Sequence, residues 1–167
     1  MATRSATSSR VSHMQPLSPP KVALATAAFH AITTQTLATD GGVEVGGILL
    51  GIDTTNTVTV RHAGTPGPAA IREERFFLRD LEHSRRLARE AWEEDSSQWV
   101  GEWHTHPSGA LVPSPTDLRS YLAHLHDEEL GFRRFISIIA AARGDSVLAR
   151  AWVIDKAHAV EVPLVRI

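Results

Sequence analysis

Residues 101–117 read Gly-Glu-Trp-His-Thr-His-Pro-Ser-Gly-Ala-Leu-Val-Pro-Ser-Pro-Thr-Asp, and this pattern predicts a strand, a short loop and the start of a helix. Alternate side chains of a strand share one face, so we expect His104 and His106 on the same side with Cα atoms about 6.5–7 Å apart. Ser114 followed by a proline is typical of a helix start, with the serine as N-cap. Asp117 then lies in the first helical turn, where the helix dipole favours a carboxylate. The stretch therefore predicts that two imidazoles and a carboxylate meet at a strand end.

The side chains of His104, His106 and Asp117 form a ligand set that suits zinc. Imidazole nitrogen and carboxylate oxygen both bind zinc, and three protein ligands leave the fourth tetrahedral position open, as in catalytic sites. Two structural alternatives stay open: the histidines can be ordinary polar residues of a strand, and Ser114 with Asp117 can serve only to cap the helix. The interpretations are compatible, because a capped helix also holds Asp117 rigidly and leaves Ser114 near a bound substrate.

Glu44 lies in the stretch Val-Glu-Val-Gly-Gly-Ile-Leu-Leu-Gly, residues 43–51, which otherwise predicts a buried central strand. An unpaired carboxylate is costly to bury. A position at the strand end or a salt bridge would explain it, but a carboxylate beside a metal can also be the general base of a hydrolysis. The candidate metal ligands favour the general base. Glu102 shares a face with His104 and could be its partner, a rival base or, most simply, half of an ion pair.

Apolar periodicity along the rest of the chain predicts alternating helices and strands. Helices are expected over residues 21–37, from an N-cap at Asp80 onward, and over 115–127. Strands are expected over 43–52, 56–63, 98–106, 134–142, 146–155 and 159–165, with a short strand end at 76–78. The middle of the chain needs crossover helices, while both ends suggest antiparallel hairpins. The predicted fold is therefore α/β, a mixed β-sheet with helices on both faces.

Tryptophans and the remaining histidines are interpreted as structural residues. The tryptophans are expected to pack in the core or on the sheet: Trp92, Trp99, Trp103 and Trp152. The helix after Asp80 is expected to bury the stripe Leu81, Ser84, Ala88, Ala91 and Trp92. A second His-x-His pair, His124 and His126, falls on a predicted helix, where side chains two residues apart point about 200° apart. These two histidines cannot share a metal and are expected at the surface.

Length and composition predict one domain and exclude several classes of function. The chain has 167 residues, with 17 Lys and Arg against 19 Asp and Glu, and the formal charge of -2 disfavours nucleic-acid binding. It has no cysteine, which excludes disulfides, thiolate nucleophiles and cysteine-bound metals. The longest apolar stretch, residues 135–142, is far shorter than the roughly 18 residues of a membrane-spanning helix. No membrane association is expected.

The beginning of the chain has a composition of its own. Residues 1–20 are rich in serine, threonine and proline and short of large apolar groups, so they are predicted to be a disordered tail. They also lack the apolar core of a secretory signal, which predicts a cytoplasmic protein. Residues 21–167 are predicted to form a single domain.

The quoted residues together resemble the JAMM motif of the JAB/MPN metalloenzyme family, E…H-[ST]-H-P-x6-S-x2-D. The motif positions are Glu44, His104, His106, Ser114 and Asp117, and Glu44 is followed by Gly-Ile-Leu-Leu-Gly. The likeness covers about residues 22–160 and is strongest to the compact prokaryotic JAB proteins. It implies a deaminase-like, three-layer α/β/α sandwich. It also implies that His104, His106 and Asp117 hold zinc, that Glu44 activates the water and that Ser114 hydrogen-bonds the oxyanion.

The resemblance implies a zinc isopeptidase or peptidase that cuts after the C-terminal glycine of a ubiquitin-like protein, in a conjugate or a precursor. Similar bacterial proteins accompany E1- and E2-like enzymes in anti-phage operons of the CBASS and Bil types, so such enzymes are expected partners. A peptidase of sulfur-carrier metabolism and a non-catalytic MPN scaffold stay open as alternatives. The loop at 111–113 is too short to select a ubiquitin linkage. A Gly-Gly tail is expected to be the narrowest peptide that can lie close to the metal without side chains that clash with Trp103 or Pro107.

Overall fold

The computed structural model describes residues 20–39, 41–74 and 77–167. The strands are β1 (Lys21–Leu24), β2 (Gly46–Asp53), β3 (Thr57–Ala63), β4 (Ile71–Arg72), β5 (Phe77–Leu78), β6 (Gln98–Thr105), β7 (Phe135–Arg143), β8 (Ser146–Ile154), β9 (Ala159–Val162) and β10 (Leu164–Arg166). The helices are α1 (Thr26–Ala38), α2 (Leu81–Asp95) and α3 (Pro115–His126). The predicted tail lies outside the described residues apart from Pro20. Of the short strand end predicted over 76–78, residue 76 lies outside them and the other two residues form β5.

Eight strands form one mixed sheet in the order β10-β1-β3-β2-β6-β7-β8-β9. β6 is parallel to β7, and β1 is parallel to both β3 and β10. The other neighbours in this sheet are antiparallel. β4 and β5 form a separate two-stranded antiparallel sheet. The predicted mixed sheet is confirmed, and β6, which carries His104 and ends just before His106, lies near its centre.

The outermost strands of the sheet, β9 and β10, are joined by a single residue, Pro163. Eight strands spaced about 4.8 Å apart would separate the edges of a flat sheet by about 34 Å, whereas one residue spans at most about 3.6 Å. The sheet therefore curls until its two edges meet, and α1 packs inside the curl against β3, β7 and β8. The prediction of a single strand over 159–165 is wrong. Proline cannot donate a hydrogen bond to a neighbouring strand, and the residues before Pro163 pair with β8 whereas those after it pair with β1.

Different helices cover the two faces of the sheet. Ala28 and Ile32 of α1 share a core with Leu49 of β2. Neighbouring residues of a strand point to opposite faces, and Ile48 and Leu50 pack against α2 on the other side. α3 covers the same face farther along, over β7. These layers confirm the predicted three-layer α/β/α fold, and no described helix has both the length and the apolar character needed to cross a membrane.

Two predicted boundaries are wrong at the beginning of the chain. Residues 21–24, predicted as the first helical turn, form β1, which pairs with β3 on one side and β10 on the other. Four mostly apolar residues fit the helical and the strand periodicity equally well, so the pairing with neighbouring strands decides that this segment is a strand. Helix α1 begins at Thr26, after Ala25 in an extended conformation with φ -62° and ψ 144°. β2 begins at Gly46 rather than at residue 43, so Glu44 precedes the strand.

Helix α2 begins after Asp80 as predicted, because the Asp80 carboxylate accepts a hydrogen bond from the His83 N–H at 3.1 Å. Its buried stripe agrees with the prediction at Ser84, Ala88 and Ala91 but not at the two ends. Leu81 and Trp92 are 53% and 54% exposed, whereas Leu87 packs against the sheet. The predicted face is therefore largely the observed one, with Leu87 in place of the two terminal residues.

His124 is half-buried rather than at the surface. Its ring lies 5.2 Å from that of Trp99 and 5.4 Å from that of Phe135. The prediction is wrong because these aromatic neighbours come from β6 and β7, which the helix sequence does not reveal. His126 is exposed and Trp103 is buried, both as predicted.

Gly101 allows β6 and β7 to approach closely, because a Cβ at this position would overlap the backbone of Ile136. We expect Gly101→Ala to lower the free energy of unfolding by about 3 kcal/mol, the upper part of the range for overpacked sites. Urea unfolding measures the difference. The control is Gly131→Ala, which has φ +64° but open space around its Cβ and should cost only about 1 kcal/mol. Equal losses in the two variants would contradict the proposed strand contact.

Candidate metal centre

The candidate metal ligands lie at the carboxyl end of β6 and at the start of α3. His104 is in β6 and only 4% exposed. His106 follows the strand end, and Asp117 lies in the first turn of α3. The fold brings the three side chains into one cluster. The sequence prediction that these residues meet is therefore confirmed as a matter of geometry.

The three ligand atoms lie nearly as far apart as the ligands of a tetrahedral zinc ion, with two of the three distances slightly shorter. His104 Nε2 lies 3.0 Å from His106 Nε2 and 3.5 Å from Asp117 Oδ2, and His106 Nε2 lies 3.2 Å from Asp117 Oδ2. Zinc bonds of about 2.0–2.2 Å place neighbouring tetrahedral ligand atoms about 3.3–3.6 Å apart. Two imidazole nitrogens that face each other at 3.0 Å also need a proton or a cation between them. The residues present fit a zinc ion.

A capping box holds Asp117 in place at the start of α3. The Ser114 hydroxyl oxygen accepts from the Asp117 N–H at 3.2 Å, and Asp117 Oδ2 accepts from the Ser114 N–H at 2.6 Å. The same carboxylate oxygen faces the two histidines. Helix capping and the ligand position, which the sequence left as alternatives, are thus combined in one side chain.

The loop between His106 and α3 is held by hydrogen bonds to three of its backbone carbonyls. Arg143 donates to the Gly109 carbonyl at 2.9 Å, and Trp152 donates to the Leu111 carbonyl at 3.0 Å. His106 Nδ1 lies 3.0 Å from the carbonyl oxygen of Ala110. A carbonyl only accepts, so Nδ1 carries a proton in this contact, and in the neutral ring the free lone pair is then on Nε2. That is the tautomer a metal ligand needs, because Nε2 is the atom that faces the cluster.

Glu44 lies beside the cluster, on the segment that leads into β2. Its N–H donates to the Glu73 carbonyl at 2.9 Å. The next residue, Val45, is bonded to Thr105 in both directions: Thr105 N donates to Val45 O at 2.8 Å, and Val45 N donates to Thr105 Oγ1 at 3.1 Å. Burial raises the pKa of Glu44, and the two nearby histidines lower it in part. A carboxylate with a raised pKa beside metal ligands is suited to general base catalysis.

The charges within the cluster stabilise one another. Burial raises the pKa of Asp117, but hydrogen bonds from His104 and His106 outweigh it and hold that pKa well below its usual range. The hydrogen bond to Asp117 raises the pKa of His106, against the opposite effect of burial. Asp117 is therefore ionised at neutral pH. A carboxylate must be in this form to bind a metal.

Sequence reasoning missed most of the residues behind His104. The Nδ1 atom of His104 lies 3.5 Å from Tyr121 Oη and 4.0 Å from Glu102 Oε1. Glu102 is paired with Arg79 at 2.9 Å, which confirms the ion-pair interpretation. Tyr121 Oη also lies 2.9 Å from Ser137 Oγ. Ser137 interrupts the longest apolar run of the chain, and that interruption is a signal that could have pointed to a polar cluster.

Trp103 does not line the approach to the cluster. Its side chain is 1% exposed, and its indole N–H donates to the Gly64 carbonyl at 2.9 Å. The expectation that substrate side chains would clash with Trp103 is therefore wrong. Strand alternation explains why, since Trp103 points to the face opposite that of the neighbouring His104.

Two curated bacterial proteins, both called CD-NTase/cGAS isopeptidase, are similar to part of the chain. The one from Vibrio cholerae serotype O1 is 33% identical over 89 residues, which are 52% of this chain and 56% of that protein. The one from Enterobacter hormaechei subsp. hoffmannii is 34% identical over 79 residues, 46% of this chain and 43% of that protein. The match thus spans about half the length of these relatives.

The fold and the family are supported over a longer part of the chain. A protein of Desulfitobacterium hafniense, whose structure was determined in solution, superposes with a TM-score of 0.65 at 16% identity, over 87% of this chain and 92% of that one. At this identity the likeness concerns the fold alone. The family model described as prokaryotic homologs of the JAB domain matches residues 26–155, which include all five predicted site residues. The chain therefore belongs to the family of prokaryotic JAB-domain homologs.

Proposed function

We propose that this chain is a zinc-dependent isopeptidase or peptidase, which hydrolyses the amide bond after the C-terminal glycine of a ubiquitin-like protein. The cluster of His104, His106 and Asp117, with Glu44 beside it, is the observation that carries the proposal. The isopeptidase name of the two curated relatives supports the same class of reaction. A non-catalytic scaffold would not need the general base and the ligand set together.

Each site residue has a definite task in this reaction. His104, His106 and Asp117 would hold the zinc ion, which when bound supplies a Lewis acid that polarises the scissile carbonyl and acidifies water. Glu44 accepts a proton from the attacking water as its oxygen bonds to the carbonyl carbon. Glu44 then gives that proton to the amine nitrogen as the C–N bond breaks. Ser114 Oγ accepts from a backbone N–H, so its O–H is placed to donate to the carbonyl oxygen as charge develops there.

The surroundings of Glu44 offer a place for an extended peptide. The two-stranded sheet of β4 and β5 leads directly to Glu73, whose carbonyl accepts from the Glu44 N–H. Each strand of a two-stranded sheet has one edge without a strand neighbour, and an added peptide strand can pair there. Ile71 and Leu78, which face each other across this sheet, are 47% and 45% exposed. We propose that the modifier's C-terminal tail pairs with this sheet and enters the site as an extended strand.

The names of the relatives also bear on the biological setting. Because they mention a CD-NTase, they favour a conjugation system of the CBASS type over the Bil type and over sulfur-carrier metabolism. In that setting the conjugate would join a ubiquitin-like protein to a nucleotidyltransferase. E1- and E2-like enzymes of the same operon would be partners, and the reaction would take place in the cytoplasm.

The purified protein should contain one zinc ion per chain, and His104→Ala and His106→Ala should each lose it, because two remaining ligands bind zinc poorly. Elemental analysis after dialysis measures the metal content. His62→Ala is the control, since His62 pairs with Asp95 at 3.0 Å outside the cluster. Equal zinc in all four proteins would mean that the metal ligands are misassigned.

Glu44→Gln should keep the zinc and lose turnover by about 10²–10⁴-fold, because an amide preserves the shape of the side chain and cannot take a proton from water. Rates are compared at equal zinc content. The control is Glu73→Gln, an exposed carboxylate on the adjoining segment whose backbone bond to Glu44 is kept. Near-normal turnover in Glu44→Gln would mean that the general base is misassigned.

Substrate tails with a side chain at either of the last two positions should be cut far more slowly than Gly-Gly. Misplacing the scissile carbonyl by about 1 Å can cost on the order of a hundredfold in rate. The test uses the ubiquitin-like protein encoded beside the gene, fused through its C-terminal glycine to a reporter, and two versions with one glycine changed to leucine. A zinc chelator should inhibit cleavage, and thiol reagents should not, since the chain has no cysteine.

Equal cleavage of all three fusions would leave a general metallopeptidase and exclude a specific ubiquitin-like substrate. Cleavage of a short adduct on a diglycine tail, with none of the reporter fusion, would instead favour sulfur-carrier metabolism.

A further inference from the structure

We infer that Tyr121, Glu102 and Arg79 form a positioning network that orients His104 for metal binding. The inference rests on the proposed zinc site and adds residues outside the five motif positions. It concerns the side of the imidazole that faces away from the cluster. In this arrangement the network determines how tightly the zinc is held.

The orientation of the His104 ring is the first argument. Its Nε2 atom faces the cluster, 3.0 Å from His106 Nε2. Its Nδ1 atom points the other way, with Tyr121 Oη at 3.5 Å and Glu102 Oε1 at 4.0 Å. Both neighbours can accept a hydrogen bond, so they favour the tautomer with the proton on Nδ1. Nε2 then has its lone pair free for the metal.

Burial is the second argument. Tyr121 and Ser137 are fully buried, and His104 is 4% exposed. Polar groups are costly to bury, and apolar residues at these positions would pack in the core at lower cost. The tyrosine ring already stacks on Phe135 at 4.9 Å, so a phenylalanine would make the same packing contact. The hydroxyl of Tyr121 is therefore not needed for packing, and its partners are His104 and Ser137.

The third argument is the way in which Glu102 is held. Its carboxylate is paired with Arg79 at 2.9 Å, and both side chains are largely buried, at 18% and 16% exposure. The Arg79 guanidinium also lies 5.1 Å from the centroid of the Trp99 ring, which limits its movement. A buried and fixed carboxylate orients a neighbouring imidazole better than an exposed and mobile one.

The network joins four parts of the fold around one histidine. Arg79 lies between β5 and α2, Glu102 and His104 are in β6, Tyr121 is in α3, and Ser137 is in β7. A ligand histidine whose second nitrogen donates to a carboxylate or similar acceptor is fixed in tautomer and ring orientation. Loss of such an acceptor commonly weakens metal binding by about 10–100-fold. The same range is expected here.

The test measures the zinc affinity of Tyr121→Phe and Glu102→Gln by competition with a chromophoric chelator. Both variants should bind zinc about 10–100-fold more weakly than the parent protein. The matched control is Glu161→Gln, which removes the carboxylate of an exposed ion pair with Arg150 at 3.2 Å, outside this network. Its zinc affinity should equal that of the parent.

A spectroscopic measurement distinguishes positioning from a merely structural role. Cobalt(II) bound in place of zinc has visible absorption bands that depend on ligand geometry, and these bands should shift in Tyr121→Phe and Glu102→Gln. Lower thermal stability with unchanged zinc affinity and unchanged bands would mean that the polar cluster only supports the fold, and would overturn the inference. If Tyr121→Phe does not fold, Glu102→Gln decides the question alone.

The outcomes also separate this inference from the proposed function. A parent protein that binds zinc and loses it in His104→Ala, while both network variants bind zinc normally, would leave the proposed function intact and overturn only the network. A parent protein that binds no zinc would overturn both.

Discussion

Hydrogen bonds between Val45 and Thr105 connect the parts of the candidate site. Thr105 N donates to Val45 O at 2.8 Å, and Val45 N donates to Thr105 Oγ1 at 3.1 Å. Thr105 lies between the two candidate ligand histidines, and Val45 follows Glu44. The segment of the carboxylate proposed as general base is therefore tied directly to the residue between the two proposed histidine ligands. Both residues are buried, so water does not compete for these bonds.

The buried polar side chains behind the cluster are tolerated because they have partners. His104, Tyr121 and Ser137 are buried on the face of the sheet covered by α2 and α3, and hydrogen bonds connect them. The opposite face, which encloses α1, is packed mainly with aliphatic side chains. This difference between the two faces confines the chemistry to one side and leaves the other to provide stability. Asp117 serves both needs, because one carboxylate caps α3 and faces the histidines.

The fold class could be predicted from the sequence, but the pairing of strands that are distant along the chain could not. The mixed sheet, the layers on both faces and the start of α2 at Asp80 follow from local patterns. The strand formed by residues 21–24 could not be predicted, because its pairing with β3 and β10 involves residues far along the chain. The passage of the chain at Pro163 from β9 at one edge of the sheet to β10 at the other could not be predicted for the same reason. A periodicity within a short window contains no information on which distant strand will be its neighbour.

For the candidate site, the sequence by itself determined the residue types, their spacing and the helix cap, because these lie within a short stretch where strand and helix geometry are known in advance. It also singled out Glu44, since a carboxylate is unusual in an apolar run. Only the tertiary structure decided that Glu44 precedes β2 rather than lying in it, and that Tyr121, Ser137 and Arg79 gather behind His104. The physical reason is that side-chain burial and side-chain contacts arise from packing between separate elements, whereas capping and alternation arise within one.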